Sequence, residues 1–289
     1  MQSRQLKLIH LVILLTLFVF ALSTRSYANQ KDGLLKIHFF DIGQGDAIFI
    51  ETPSGYQILI DGGPDNRVLQ RLGEVMPFYD KDIDVVVVSH PHADHIAGLI
   101  SVLDKYEVAN VFEAEEDYNS SEFKAWEGAI KEEGANEIEA ITGKIIDFGD
   151  GVILEFLHPF ESFVGAETDK PHDDVVVAIL RYNNFELMLA GDMEAKIERR
   201  LIMAGYNLDS DVLKVGHHGS KTSSSEEFLS AISPEVAIIQ VGEKNRYGLP
   251  TPEILKRFDD YDIKYYRNDL NGDIKLTSDG INYLISTQK

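Results

Sequence analysis

The chain has 289 residues, no cysteine, and 48 acidic against 27 basic residues, for a formal charge of −21. That length can bury a full core in one large domain or two small ones. The missing cysteine excludes disulfides and lipid attachment at a cysteine, and the acidity disfavours nucleic acid as a partner unless cations intervene.

Arg4 and Lys7 precede an apolar run over residues 8–22, interrupted only by His10 and Thr16. Ser26-Tyr27-Ala28 follows, with small residues at the two positions a signal peptidase reads. The run is shorter than the ~20 residues that span a bilayer. Residues 1–28 are therefore expected to be a cleaved signal peptide, and residues 29–289 the mature domain, secreted or periplasmic. Cleavage removes three bases and no acid, deepening the charge from −21 to −24. No second apolar run follows, so no stable membrane association is expected after cleavage.

Beyond the leader, residues 34–40, 47–52 and 56–60 read as strands, with Thr52-Pro53-Ser54-Gly55 as a hairpin turn. Residues 84–89 read as a buried strand, 95–103 as a helix and 108–112 as a strand. Residues 121–133 form a polar helix bearing the only tryptophan, Trp126. Short strands are expected near 137–141, 144–148 and 152–157, then a loop over 161–174. Residues 175–182 and 185–190 form a hairpin over Asn183-Asn184. The helix at 193–204 has acids early and Arg199-Arg200 late, as its dipole favours. A strand (211–215), a helix (224–232), a strand (236–241) and a helix (252–261) follow. The tail over 263–287 reads as strands with Asn-Gly and Asp-Gly turns. No linker, low-complexity tract or short-period repeat interrupts this order. Mixed strands with about five helices imply sheets covered by helices. Two packed sheets fit, and a single wound sheet is the alternative.

The segment VSHPHADHIAG, residues 88–98, places three histidines and an aspartate within six positions. On extended chain, residues two apart point the same way, so His90 and His92 converge. A helix starting near Asp94 puts that residue and His95 at its mouth. Imidazole nitrogen and carboxylate oxygen suit zinc, manganese or iron(II). Gly98 leaves room for a close backbone approach. The plainer alternative has Asp94 capping the helix beside ordinary loop histidines. The density of ligand-type side chains favours a metal.

The same cluster matches the H-x-H-x-D-H signature of the metallo-β-lactamase superfamily. FFDIGQGDAIFIET (39–52), ILIDGG (58–63), LMLAGDMEAKIERRL (187–201), DVLKVGHHGSKTSSS (211–225) and NRYGLPTPEIL (245–255) occur in the expected order. Together they resemble the extracellular hydrolase domain of the ComEC competence proteins and its stand-alone relatives, from about residue 34 onward. The resemblance implies an α/β fold, a four-layer αββα sandwich of two mixed sheets with helices outside. It also implies two divalent metal ions, zinc or manganese, and hydrolysis of phosphodiester bonds by a metal-bound hydroxide, as in a nuclease or phosphodiesterase.

On this resemblance His90 and His92 hold the first metal, Asp94 and His95 the second, and Asp192 bridges both. Asp192 could also cap the helix after it. Asp61 resembles the acid that orients the histidine loop, or is a turn aspartate. Asp41, Gln44 and Asp46 lie in a turn that either approaches the metals or only shapes a hairpin, and the hairpin is favoured. Of His217 and His218, one, with His217 the candidate ligand, reaches a metal or the scissile group and the other contacts substrate. Adjacent histidines point to opposite sides, so both serving one metal is not expected, and either could protonate the leaving oxygen. Ser220 and the serines at 223–225 could serve an oxyanion, but helix capping at Ser224 or Ser225 is favoured.

Two departures matter. The family's Asn-x-Tyr-Gly-His-Pro motif reads Asn245-Arg246-Tyr247-Gly248-Leu249-Pro250 here, and leucine cannot ligate, so a weaker second site is expected. The first metal needs a further ligand, for which His172 and His158 are candidates. Two rival functions stand beside the phosphodiesterase. One is hydrolysis of another ester or amide, such as cell-wall phosphocholine or a β-lactam. The other is a non-catalytic binding protein with a degraded second site. The GQGDA and HHGS segments speak against β-lactams. The exported protein is expected to begin at Asn29. N-terminal sequencing of extracellular or periplasmic material checks this, and a full-length chain lodged in the membrane would contradict it.

Overall fold

Alternation along the strands sets the architecture. In β1 (Leu35–Phe39), Leu35, Ile37 and Phe39 are buried, and Lys36 and His38 between them are half-buried. Period-two burial of this kind makes one sheet face a core wall. The computed structural model describes residues 33–114, 117–168, 170 and 172–289. The expected signal peptide lies outside these residues. Residues 34–289 cluster as one unit.

The first sheet also contains β2 (Ile48–Glu51), β3 (Gln57–Ile60), β4 (Asp82–Val87), β5 (Glu107–Glu113), β6 (Asn136–Glu139), β14 (Ile274–Ser278) and β15 (Tyr283–Thr287). Its order is β15-β14-β1-β2-β3-β4-β5-β6. Pairing is antiparallel from β15 to β3 and parallel from β3 to β6. The second sheet contains β7 (Ile145–Asp147), β8 (Val152–His158), β9 (Val177–Tyr182), β10 (Phe185–Leu189), β11 (Val212–Lys214), β12 (Val236–Ile239) and β13 (Lys264–Arg267), in the order β13-β12-β11-β10-β9-β8-β7. Its β10–β13 half is parallel and its β7–β10 half antiparallel.

Three apolar layers make this a four-layer αββα sandwich. Between the sheets lie residues such as Ile37, Ile50, Val85, Val87, Leu180 and Ile238. The outer face of the first sheet packs Leu59, Val86 and Val88 under α1 (Arg67–Val75), α2 (Ala93–Leu103) and α3 (Ser121–Glu133). The outer face of the second packs Met188, Leu213 and Ile239 under α4 (Ala195–Ala204), α5 (Glu226–Ile232) and α6 (Pro252–Asp260). The parallel strands β4, β10 and β11 end near one another in space, because the loops that follow them bring their side chains into contact. Crevices beyond the carboxyl ends of such strands are where α/β folds bind ligands.

The structure differs from the sequence expectation in places. Helix α1 was not expected, because its buried stripe is only Val68 and Leu72 on a mostly polar nine-residue segment. The Asn271-Gly272 pair does not close a hairpin. It ends a short helix, α7 (Asn268–Asn271), that carries the chain from β13 in one sheet to β14 in the other. The Asp279-Gly280 turn does join β14 to β15. Ser225, not Ser224, caps α5, accepting a hydrogen bond from Phe228 N.

Trp126 on α3 is fully buried, and its indole Nε1 donates to Glu113 Oε2 at 2.8 Å. Trp126→Ala is expected to lower stability by about 3–5 kcal/mol, the range for removing a large aromatic side chain from a core. Urea unfolding followed by circular dichroism checks this, and a loss under about 1 kcal/mol would contradict it.

Candidate metal centre

The centre is built where strand ends turn into loops. After β4 the chain runs through Ser89 and His90 to His92, which stands at the N-cap of α2 with no side-chain cap bond. Asp94 lies in the first helical turn, where the helix dipole favours an acid. It is not the cap. Two glycines allow the loop to sit close. A side chain at Gly98 would meet Gly62 O at 1.9 Å, and one at Gly45 would meet Asp94 O at 2.1 Å. The close approach expected at Gly98 is thus real, and Gly45 adds a second. Asp192 follows β10, and Glu194, not Asp192, is the N-cap of α4. His217 and His218 lie in a 3₁₀ turn after β11 with φ of 48° and 51°, left-handed conformations unusual for side-chain-bearing residues.

The Asp192 carboxylate divides the cluster. Its Oδ2 lies 3.8 Å from His90 Nε2, 3.9 Å from His172 Nε2 and 3.9 Å from His217 Nε2. Its Oδ1 lies 3.6 Å from His95 Nε2 and 3.6 Å from His218 Nε2. His92 Nδ1 joins the first group, 2.9 Å from His90 Nε2 and 3.2 Å from His172 Nε2. Asp94 Oδ2 joins the second, 3.4 Å from His218 Nε2 and 4.0 Å from His95 Nε2. His90, His92 and His172 could hold one ion together, and Asp94, His95 and His218 another.

Neighbouring groups fix which atoms face inward. Asp61 accepts from Ser89 N at 2.8 Å and Ser89 Oγ at 2.6 Å, and its Oδ2 lies 2.8 Å from His95 Nδ1. With Nδ1 held there, His95 Nε2 is the atom directed at the centre. Asp61 is therefore more than a turn residue. His158 does not join the cluster. It is fully buried, with its Nδ1 2.6 Å from Val175 O and its ring against Phe160.

Electrostatics follow from burial. Burial and the positive potential of His95 keep His90 well below its ordinary pKa, and burial with His172 lowers His92 to about 4. Burial lowers His172 too. Burial opposes charge on His95 and His218, but Asp192 with Asp61 raises His95, and Asp192 with Asp46 raises His218 to about 10. Asp192 is pushed up by burial and pulled well below the carboxylate range by His218 and His95, which win. Asp94 is likewise pushed up by burial and pulled down further by His95 and His218. The buried atoms His95 Nε2, His218 Nε2 and Asp192 Oδ1 have no hydrogen-bond partner. Buried polar atoms without hydrogen bonds cost free energy that a shared cation would recover, and imidazole nitrogens with carboxylate oxygens are a donor set that fits divalent metal ions.

The shortfall expected at Leu249 is met from another direction. Leu249 packs its side chain among the apolar residues of the outer layer, while its backbone N–H donates to Asn245 Oδ1 at 2.9 Å. His218 Nε2 stands with Asp94, His95 and Asp192 instead. His217 and His218 do face different oxygens of Asp192, as adjacent residues on opposite sides should. One contributor was underweighted by the sequence reading and one escaped it. A hairpin role was favoured for Asp46 over an approach to the metals, yet it is 1% exposed, contacts His218 and pairs with Lys214. Lys214 was passed over although it sits in the apolar run Asp211–Val215, where a lone lysine is itself a signal.

The profile of the metallo-β-lactamase superfamily matches residues 40–243. Over 257 residues the chain is 29% identical to ComE operon protein 3 of Bacillus subtilis, covering 83% of this chain and 32% of that protein. It is 30% identical over 244 residues to competence protein ComA of Neisseria gonorrhoeae, covering 82% and 31%. The chain thus spans about a third of the length of these relatives. The solved structure of CmlA, a diiron β-hydroxylase from Streptomyces venezuelae, superposes with a TM-score of 0.53 at 14% identity, over 84% of this chain and 54% of that one. At that identity the likeness concerns the fold alone.

Equilibrium dialysis against zinc is expected to give two ions per chain. Asp192→Ala should weaken both and His218→Ala the second only, with Leu249→His restoring nothing in the His218→Ala background. Recovery by Leu249→His would show that residue 249 reaches the centre.

Proposed function

The chain belongs to the metallo-β-lactamase superfamily, and from that premise we propose that it is an exported, metal-dependent hydrolase of phosphodiester bonds. The observation that carries the reading is the Asp192 carboxylate, whose two oxygens face separate donor sets. His90, His92, His172 and Asp192 would hold the first ion, and Asp94, His95, His218 and Asp192 the second. Divalent ions there supply Lewis acidity, making water nucleophilic near neutral pH and withdrawing charge from the scissile group. Two such positions sharing one ligand suit in-line displacement at phosphorus, which develops charge on both the entering and the leaving oxygen. The likeness to competence proteins supports a phosphodiester over a lactam. The signal-like residues 1–28 support export, and no helix among the described residues is long and apolar enough to cross a membrane.

The chain's own residues divide the work by exposure. His90, His95, His218 and Asp192 are buried and hold the frame. His172 and His217 side chains are each 25% exposed and Asp94 is 33% exposed, so these line the mouth. His217 Nδ1 lies 3.2 Å from Glu194 Oε1, which also accepts from Thr222 Oγ1 at 2.8 Å. Anchored at Nδ1, His217 presents Nε2 toward Asp192 and the mouth, where it delivers a proton to the leaving oxygen. This narrows the paired expectation for His217 and His218 to the more exposed of the two.

A second reading concerns which phosphodiester. A pocket of about 660 Å³ is lined by Asp117, Tyr118, Phe123, Glu127 and Glu167 among others. It adjoins the centre through Tyr118, whose ring lies 5.7 Å from that of His92. Lys124 also lines it, so three acids against one lysine leave a net negative wall, and with two aromatic rings this suits a cationic group. With the charge of −21, this favours a phosphodiester that carries an ammonium on one of its ester groups, such as a phosphocholine ester, over nucleic acid.

The test is a panel of bis(4-nitrophenyl) phosphate, 4-nitrophenyl phosphorylcholine, DNA and nitrocefin with zinc or manganese added. Hydrolysis of the phosphodiesters, its loss on chelation or with His92→Ala, and no turnover of nitrocefin are expected. A metal-loaded protein inert toward every phosphodiester would overturn the reading. Tyr118→Ala should raise KM for the phosphorylcholine ester about tenfold, the scale of one lost cation–π contact of 1–2 kcal/mol. If DNA is cleaved faster than the choline ester, the nuclease reading prevails.

A further inference from the structure

Lys214 is 1% exposed and belongs to β11, which otherwise contributes Val212 and Leu213 to apolar layers. Residues two apart on a strand share a face, so Lys214 points with Val212 into the layer between the sheets. A lysine there without partners would be strongly disfavoured. Its Nζ pairs with Asp46 Oδ2 and donates to Val215 O at 3.0 Å and Gly191 O at 3.3 Å. An ammonium has three N–H donors and no acceptor. Three acceptors around Nζ match that count.

The three acceptors come from three walls of the centre. Asp46 lies in the turn before β2, Gly191 immediately precedes Asp192, and Val215 leads into His217 and His218. Asp46, held on one oxygen by Lys214, places its Oδ1 3.3 Å from His218 Nδ1. The same Nδ1 lies 2.9 Å from Gln240 O. Gln240 O takes the Nδ1 hydrogen bond and the Asp46 carboxylate stands beside it as a charge without a hydrogen bond at Oδ1, so both favour the ring proton at Nδ1 and leave Nε2 for the centre. Asp46 is itself close enough to Asp192 and His218 to ligate an ion with them. Its pairing with Lys214 holds it out of that role.

We propose that Lys214 and Asp46 are a positioning pair for the second ion: Lys214 fixes Asp46 behind His218, and Asp46 orients the His218 ring so that Nε2 faces Asp94, His95 and Asp192. The inference rests on the metal-hydrolase reading, and it concerns affinity at one of two positions. Neither residue touches substrate. Outer partners of this kind set ligand orientation and basicity, and losing one lowers metal affinity by about 10- to 100-fold.

The test compares wild type, Asp46→Asn, Lys214→Met and the double variant. Each single variant leaves one buried charge without its partner and should lower Tm. The double variant removes both charges and should recover much of that loss. Stepwise zinc titration against a chromophoric chelator should then show the first ion bound as in wild type and the second about 10- to 100-fold weaker in the double variant. A stable double variant with two wild-type affinities overturns the proposal. A readout independent of folding uses zinc-loaded wild type labelled with ¹⁵N-histidine, where NMR should show His218 protonated at Nδ1 and ligated through Nε2. The opposite arrangement overturns the proposal even if the variants fail to fold. A wild type that binds no ion overturns the metal reading, and two ions in wild type with an unaltered double variant overturns only the positioning pair.

Discussion

A carboxylate buried among imidazoles needs positive charge around it, and the arrangement of this protein follows from where that charge can come from. Asp192 is 2% exposed and carries two oxygens that face different histidines. In the protein alone, the Asp192 charge raises the basicity of His95 and His218. Divalent cations held by the same groups would supply that positive charge instead.

Such a cluster demands support from behind. Asp61 steadies His95, Glu194 steadies His217, and Lys214 with Asp46 stands behind His218. The supports arise from both sheets. Asp46 and Asp61 lie beside strands of the first, and Lys214 lies on a strand of the second. The centre therefore depends on correct docking of the two sheets as well as on each loop. The apolar layer between them, from Leu35 to Leu276, supplies that docking. A buried ion pair contributes little net stability compared with apolar packing. Lys214 and Asp46 accordingly read as determinants of geometry, at a place where a valine would serve the core better.

The acidic surface and the cationic chemistry of the centre pull in opposite directions. A charge of −21 slows the approach of polyanions, while ions at the centre attract a single phosphate group. The pocket beside His92, lined by three acids, one lysine and two aromatic rings, carries a net negative wall next to the centre.

The sequence by itself determined where the metal-ligand side chains cluster, and its motifs, through resemblance, pointed to the sandwich where pattern alone left a single wound sheet open. Three histidines and an aspartate crowded into residues 90–95 announce ligands, because that density has no packing explanation, and period-two burial in strands such as β1 announces a sheet with two different faces. Asp192 was legible from its place at a strand end beside two small residues. Tertiary structure alone decided what depends on distance between segments far apart in the chain. Resemblance favoured His172 over His158 without excluding either, and only His172 comes beside His92, while the ring of His158 turns to Val175 and Phe160. Leu249 suggested an open second site, and it is His218 that stands beside Asp94, His95 and Asp192, because the left-handed turn at 217–218 sends adjacent rings to opposite oxygens of Asp192. Asp46 and Lys214 lie 168 positions apart, and local pattern gives no sign of their pairing. Periodicity reports which face a side chain takes, whereas the partner it meets there is set by how two sheets pack.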